Sequence, residues 1–282
     1  MDPFVDFLAA AIRIATPLLL AALGELIAER AGVLNLSVEG AMLAGCLGAA
    51  LGASASGNPW VGFVAGGVAG WGVAAVFAAV AIGARADQII VGTALTLGSV
   101  GVTGLWYRQA FGSEGVGLTL PTVTSGPSYA AAAMVMVVWW VLFRTTWGLS
   151  LRATGEAAAA AMATGVPVRR MQGVAVMLGG LFAGVAGATL VLAQVGTFTE
   201  RMTAGRGFIA IAIVVLGRWH PVGVLIASVG FGAATALQFA FQAMGLAVPY
   251  QLFLMLPYLV ALIALTGVAG RARAPGQLGR TV

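Results

Sequence analysis

Apolar residues along this chain gather in long runs and do not alternate with polar ones. Mainly apolar stretches cover 4–28, 36–55, 60–83, 87–107, 128–146, 171–194, 221–243 and 249–268. Each matches the roughly 20 residues that a helix needs to cross the hydrocarbon core of a bilayer. A further stretch, 206–217, falls short of that length. The alternation of a membrane barrel is missing. The pattern therefore predicts an all-α, polytopic helical bundle of about nine membrane helices, one of them short.

Composition agrees. Of 282 residues, 60% are hydrophobic and 8% charged, and mean hydropathy is +1.01. A soluble domain of this size could not bury that much apolar surface. The 41 glycines predict close helix packing, because small residues let backbones approach in lipid. Asp2 and Asp6 precede any positive charge, so the first helix is expected to be retained and not cleaved as a signal.

All 14 basic residues are arginine. Without lysine the chain has neither a P-loop lysine nor a Schiff-base lysine. His220 is the lone histidine and Cys46 the lone cysteine. A histidine metal cluster and an internal disulfide are thereby excluded, and Cys46 reads as a small buried hydrophobe. No catalytic residue and no metal ligand is assigned. The arginines are spread over the loops and form no single basic face, so nucleic acid is not an expected partner.

The arginines also set orientation. Arg85, Arg144, Arg152, Arg169, Arg170, Arg218, Arg271, Arg273 and Arg280 can share one side, and Arg108, Arg201 and Arg206 the other. The positive-inside rule makes the first group cytoplasmic. The N-terminus is then expected outside and the C-terminus inside. Residues 1–270 form the transmembrane domain, with a cytoplasmic loop at about 147–171, and 271–282 form a cytoplasmic tail that reads as frayed. The loop 108–127 is the longest polar connection on the outer side.

Three stretches depart from plain lipid-facing helix. In GEAAAAAMATG (155–165) alanine favours a short helix outside the membrane, with Thr154 as a candidate N-cap, Glu156 near the helix start, and Gly165 and Pro167 as stops. It reads either as a connecting loop or as a docking helix for a partner. In GELIAERAGVLNLSVEGAMLAG (24–45) acids and amides interrupt the apolar pattern. Glu29 and Arg30 read as solvated in a turn. Asn35, Ser37 and Glu39 read as a structural polar knot or as contacts along a solute path. In QVGTFTERMTAGRGFIAIAIVVLGRWHPVG (194–223) a polar segment leads into the short helix, whose N-terminus is expected to point outward. Trp219 reads as an interfacial anchor. Phe208 starts the helix. In the run 221–243, Gln238 and Gln242 lie four apart beside Phe239 and Phe241. They suit helix–helix hydrogen bonding or a wet path, and amide beside ring is also a surface that a ribose or purine would accept.

Taken together, these stretches resemble the permease subunits of bacterial ABC importers in the branched-chain amino acid/simple sugar superfamily, most of all its nucleoside-type branch. The likeness runs over about residues 15–268. It implies an importer fold of the vitamin-B12-permease kind (type II). It also implies a second permease subunit, commonly a different chain, a cytoplasmic ATPase that binds ATP and Mg, and an extracytoplasmic lipoprotein that delivers substrate. This chain would bind no cofactor itself and would sit in the plasma (inner) membrane. Gly155, Glu156, Ala157, Ala158 and Gly165 match the loose E-A-A…G pattern of the family's ATPase-coupling loop. Asn35, Ser37, Glu39, Phe208, Gln238, Phe239 and Gln242 are the candidates for the translocation pathway. Nucleosides or related ribose-containing solutes are the expected substrates, with simple sugars or another small polar metabolite as the alternative. An ion-coupled carrier or a membrane enzyme fits less well, because acids after the second helix fall at ends or in loops.

Overall fold

The computed structural model describes residues 3–112, 119–124, 126–243 and 273–280, with Met255, Leu259, Leu262 and Thr266. Its regular elements are all helical: α1 (Pro3–Arg30), α2 (Val38–Ser56), α3 (Pro59–Phe77), α4 (Gln88–Phe111), α5 (Gly126–Arg144), α6 (Thr146–Glu156), α7 (Ala158–Ala163), α8 (Val168–Thr189), α9 (Arg206–Leu216) and α10 (Pro221–Ala243). π-helical turns at Ala78–Gly83 and Leu190–Val195 extend α3 and α8. Among the described residues seven helices are long and apolar enough to cross a membrane. The short α9 is the eighth of the expected set, and the run 249–268 lies almost wholly outside the described residues.

Local chemistry places several of the ends. Asn58 accepts from Trp60 N (2.9 Å) ahead of Pro59, so α3 starts with a side-chain cap and a proline in its first turn. Asp87 caps α4 through Ile89 N and Ile90 N, at 2.8 and 3.0 Å. Thr145 caps α6 through Gly148 N at 3.0 Å.

α1, α2 and α8 form the centre. α3 packs on α2 and α8, α9 and α10 on α1, α4 on α2, and α5 on α1 and α10. Outer helices turn large apolar residues away from the protein, including Val64 and Val68 on α3, Leu97 and Trp106 on α4, and Met136 and Trp140 on α5. In lipid such a face needs no protein partner. Lipid also supplies no hydrophobic drive between helices, so the bundle depends on backbone approach. A methyl group on Gly184 of α8 would stand 2.3 Å from Gly66 O of α3, and one on Gly45 of α2 would stand 2.4 Å from Gly184 O. Three helices therefore cross where no side chain fits.

The structure corrects three expectations. The alanine segment is not one helix. α6 runs to Glu156, the chain breaks at Ala157 (φ −151°, ψ 84°), and α7 resumes at Ala158. Glu156 thus closes a helix where the sequence placed it near a start. Thr154 is no N-cap, because it lies inside α6 and donates to Ser150 O at 2.9 Å. Burial of Ala158 and Ala161 against Val168 holds the new direction, and alanine's helix preference contains no mark of that contact. Next, Glu29 and Trp219 are buried and bonded to each other, where solvated and interfacial positions were expected. Finally, residues 275–280 of the tail are docked and not frayed.

Candidate functional site

The helix α9 has 11 residues, or about 16 Å of rise, roughly half the hydrocarbon core. Its first turn carries glycine at the cap and no side-chain acceptor of its own. Glu39, from the first turn of α2, supplies the acceptor. Its Oε1 receives Thr203 Oγ1 at 2.6 Å and Gly205 N at 2.9 Å, and its Oε2 receives Gly207 N at 2.7 Å. A carboxylate on exposed N–H groups at a helix start is favourable by both hydrogen bonding and dipole. Glycine at 207 is required sterically, since a methyl there would stand 2.6 Å from Glu39 Cα.

The other end of α9 is fastened to α1. Trp219 Nε1 donates to Glu29 Oε2, and Arg30 Nε donates to Trp219 O at 2.8 Å. Phe143 of α5 gathers the basic groups nearby. The Arg152 guanidinium lies 4.8 Å and that of Arg30 6.0 Å from its centroid, and the His220 ring 5.2 Å. Partial burial, and then the charge of Arg30, hold His220 below the usual histidine range.

Since Arg30 meets one end of α9 and Glu39 the other, the connection 31–37 runs alongside it. This is no surface turn: it is irregular backbone buried within the protein. Such backbone persists only where protein satisfies it. Here Asn35 N donates to Glu25 Oε1 (3.1 Å) and Leu34 N to Gln88 Oε1 (2.9 Å). Leu36 O accepts from Thr96 Oγ1 (3.0 Å) and Ala31 O from Gln172 Nε2 (3.3 Å). Asn35 Oδ1 accepts both the backbone N–H and the hydroxyl of Ser37. Asn35, Ser37 and Glu39 are buried in this polar knot. The sequence exposed the knot's members but missed Gln88, Thr96, Gln172 and Thr203. Gln88, Thr96 and Gln172 sit on mainly apolar or glycine-rich helices, which was the available signal; Thr203 lies in the polar segment before α9 and carried none.

The remaining pathway candidates divide by exposure. Phe208, next to the Glu39 clasp, and Phe239 on α10 are exposed, whereas Gln238 is buried and Gln242 half-buried. The two glutamines thus stand on α10, apart from the knot on α1, α2 and α9.

The segment 155–165 meets the same connection. Gly155 lies so close under α1 that a methyl on it would stand 2.2 Å from Arg30 O. Glu156 and Ala157 are exposed, and Ala158 is buried. Gly165 (φ +84°) ends α7: Gly165 N donates to Met162 O and Val166 N to Ala161 O, both at 3.0 Å. This is a paired glycine stop that satisfies the last carbonyls.

At the opposite end of α4, Arg108 grips Glu200 with two bonds of 2.8 and 3.2 Å. That hydrogen bonding holds the Glu200 carboxyl below the ordinary glutamate range. A depressed folded value means that the contribution is complete above the ordinary glutamate range and fades as pH falls through the folded one. Both side chains are exposed, so the effect is small and salt-sensitive. Melting temperature measured against pH should show a slight acid-side slope that Glu200→Gln removes. An unchanged slope in the variant would show that the pair contributes nothing to it.

Residues 7–265 match the family described as branched-chain amino acid transport system / permease component. Among curated relatives, the putative glucose ABC transporter permease protein TsgC13 of Haloferax volcanii is 40% identical over 84% of this chain and 78% of its own length. The guanosine ABC transporter permease protein NupQ of Bacillus subtilis is 34% identical over 94% and 92%. The nucleoside ABC transporter permease protein NupC of Lactococcus lactis is 31% identical over 92% and 91%. No solved structure matches. With the family match spanning nearly the whole helical bundle, this chain belongs to the permease components of the branched-chain amino acid transport system family.

Proposed function

We propose that this chain is the membrane-spanning half of an ATP-driven importer that moves nucleosides or related ribose-containing solutes. ATP and Mg are bound and used by a partner ATPase, a role this chain leaves open because it has no lysine for a P-loop. An extracytoplasmic lipoprotein delivers the solute, and a second, different permease completes the pore. The loop at about 147–171 and the tail are cytoplasmic, and the chain sits in the plasma membrane. Gly155, Glu156, Ala157, Ala158 and Gly165 form the ATPase-facing element. The observation that carries the reading is its geometry: α6 ends exposed at Glu156 with Gly155 seated directly on the α1–α2 connection, and α7 follows to its stop at Gly165.

The solute path is assigned to Asn35, Ser37, Glu39, Phe208, Gln238, Phe239 and Gln242. The first three shape its wall through the knot. The exposed rings of Phe208 and Phe239 offer stacking faces, and the amides of Gln238 and Gln242 suit hydroxyls and ring nitrogens. The two relatives whose names specify guanosine or nucleoside match over most of both chains. A sugar is the second reading, favoured by the 40% identity to the putative glucose permease.

The expected result of Glu156→Arg, an exposed charge reversal, is normal membrane insertion with loss of ATPase co-purification and of ATP-driven uptake. If uptake and co-purification both survive, the coupling assignment fails. Competition for the lipoprotein between guanosine, ribose and glucose then decides the solute, and tight binding of glucose alone would replace nucleoside with sugar.

A further inference from the structure

Residues 275–280 of the tail form a compact turn, with Leu278 N donating to Pro275 O (3.1 Å) and Arg280 N to Gln277 O (3.0 Å). The turn is fastened on three sides. Gln277 N donates to Gly155 O at 2.9 Å, and Gly279 N donates to Gly32 O at 3.2 Å. Gln88 Nε2 donates to Arg280 O at 3.4 Å. Pro275 is buried and Leu278 packs on the central core. The fit is tight at backbone level. A methyl on Gly276 would stand 2.7 Å from Glu156 O, and one on Gly32 would stand 3.2 Å from both Gly155 Cα and Gln277 Cβ.

We propose that residues 275–280 are a strap that makes α6, the α1–α2 connection and the start of α4 move together, so that displacement at the coupling segment reaches Asn35 and Ser37. The proposal rests on the ATP-driven reading above. Its physical core is the difference between compression and tension. The seat of Gly155 under Arg30 O is a steric contact, which resists a push but not a pull. The tail adds hydrogen bonds to both sides of that seat, and these resist separation. Gln88 continues the line: one end of its amide donates to Arg280 O, and the other accepts Leu34 N of the α1–α2 connection. A transporter that must be driven in both directions needs both kinds of contact. The strap supplies the second kind, and it does so largely through backbone atoms, which is why its sequence reads as an unstructured tail.

The test uses the full transporter with its partner subunits in sealed vesicles, and reads ATPase co-purification, ATP hydrolysis and uptake separately. The variants are a chain ending at Ala274, Gln277→Pro, and Gln277→Ala. The truncated chain should keep its ATPase and hydrolyse ATP, while solute moved per ATP falls about tenfold, within the usual span of coupling between sites. Gln277→Pro, which removes the N–H given to Gly155, should follow the truncation, and Gln277→Ala, which keeps it, should stay within about twofold of the parent. If the truncated chain fails to insert, the Pro/Ala pair decides alone. Unchanged uptake per ATP in the truncated chain, or in Gln277→Pro, overturns the strap. Loss of ATPase co-purification on truncation also overturns it, since the tail would then be a docking surface. A parent transporter without ATP-dependent uptake would sink the function itself, and the strap with it.

Discussion

Replacing Glu39 with alanine is expected to release the start of α9 and to end transport. The side chain receives three donors, Thr203 Oγ1, Gly205 N and Gly207 N, and these have no other acceptor among the bonds at that helix start. Bonds to a charged acceptor contribute about 1.5–3 kcal/mol each, and a stranded buried donor costs about 1–3 kcal/mol. These terms share one side chain and do not add. A total loss of about 3–5 kcal/mol is the expected scale, as for other buried charged groups stripped of a partner. Glu39→Gln keeps one oxygen but turns an amide nitrogen toward donors. It should fall between the parent and alanine. Thermal unfolding of the purified chain in detergent reads the loss, and vesicle uptake reads the function. A Glu39→Ala chain that melts with the parent would show that α9 needs no foreign acceptor, and the clasp would then be incidental. The exposed Glu156→Arg change serves as the contrast, because it should spare the melting temperature while abolishing uptake.

That clasp also marks how far the sequence could be read. The membrane helices were legible because each requires a long apolar run, and their observed bounds lie within a few residues of those runs. Two halves of the clasp were visible as well. An acid stood where the apolar pattern of α2 should continue, and a helix start at Thr203-Ala-Gly-Arg-Gly207 lacked a capping side chain of its own. Each half was incomplete, but nothing local pairs them across 164–168 residues. The same holds for Glu29 and Trp219, 190 residues apart. Their burial could not be inferred from either neighbourhood, so one read as solvated and the other as an interfacial anchor. The break at Ala157 was hidden for a different reason. Alanine is equally content to continue or to restart a helix, and only tertiary packing distinguishes the two. The tail was misread because its bonds are mostly from backbone atoms, about which composition says little.

Gly184→Ala is the second large effect, and it tests what holds the bundle together. On a lone helix this change is favourable by about 0.5–1 kcal/mol, since alanine loses less backbone freedom than glycine. In α8 the new methyl meets Gly66 O at 2.3 Å, with Gly66 C and Gly67 Cα at 3.1 Å. Those atoms are backbone, so no rotamer change relieves them, and α3 must move away. Gly45 of α2 approaches Gly184 from its own side, so the displacement disturbs a second crossing. Overpacking costs about 1–3 kcal/mol where side chains can yield, and occasionally more; a clash against rigid backbone belongs at the upper end. Gly173→Ala is the matched control on the same helix, because a methyl there meets nothing within 4 Å. The expected pair of results is a sharp fall in melting temperature and monodisperse yield for Gly184→Ala, and an unchanged or slightly raised melting temperature for Gly173→Ala. Equal behaviour of the two would mean that α2, α3 and α8 do not pack backbone to backbone at this crossing. Since lipid offers no hydrophobic drive to bring helices together, the arrangement that seats α6 on the α1–α2 connection would then lack the rigid centre it is built on.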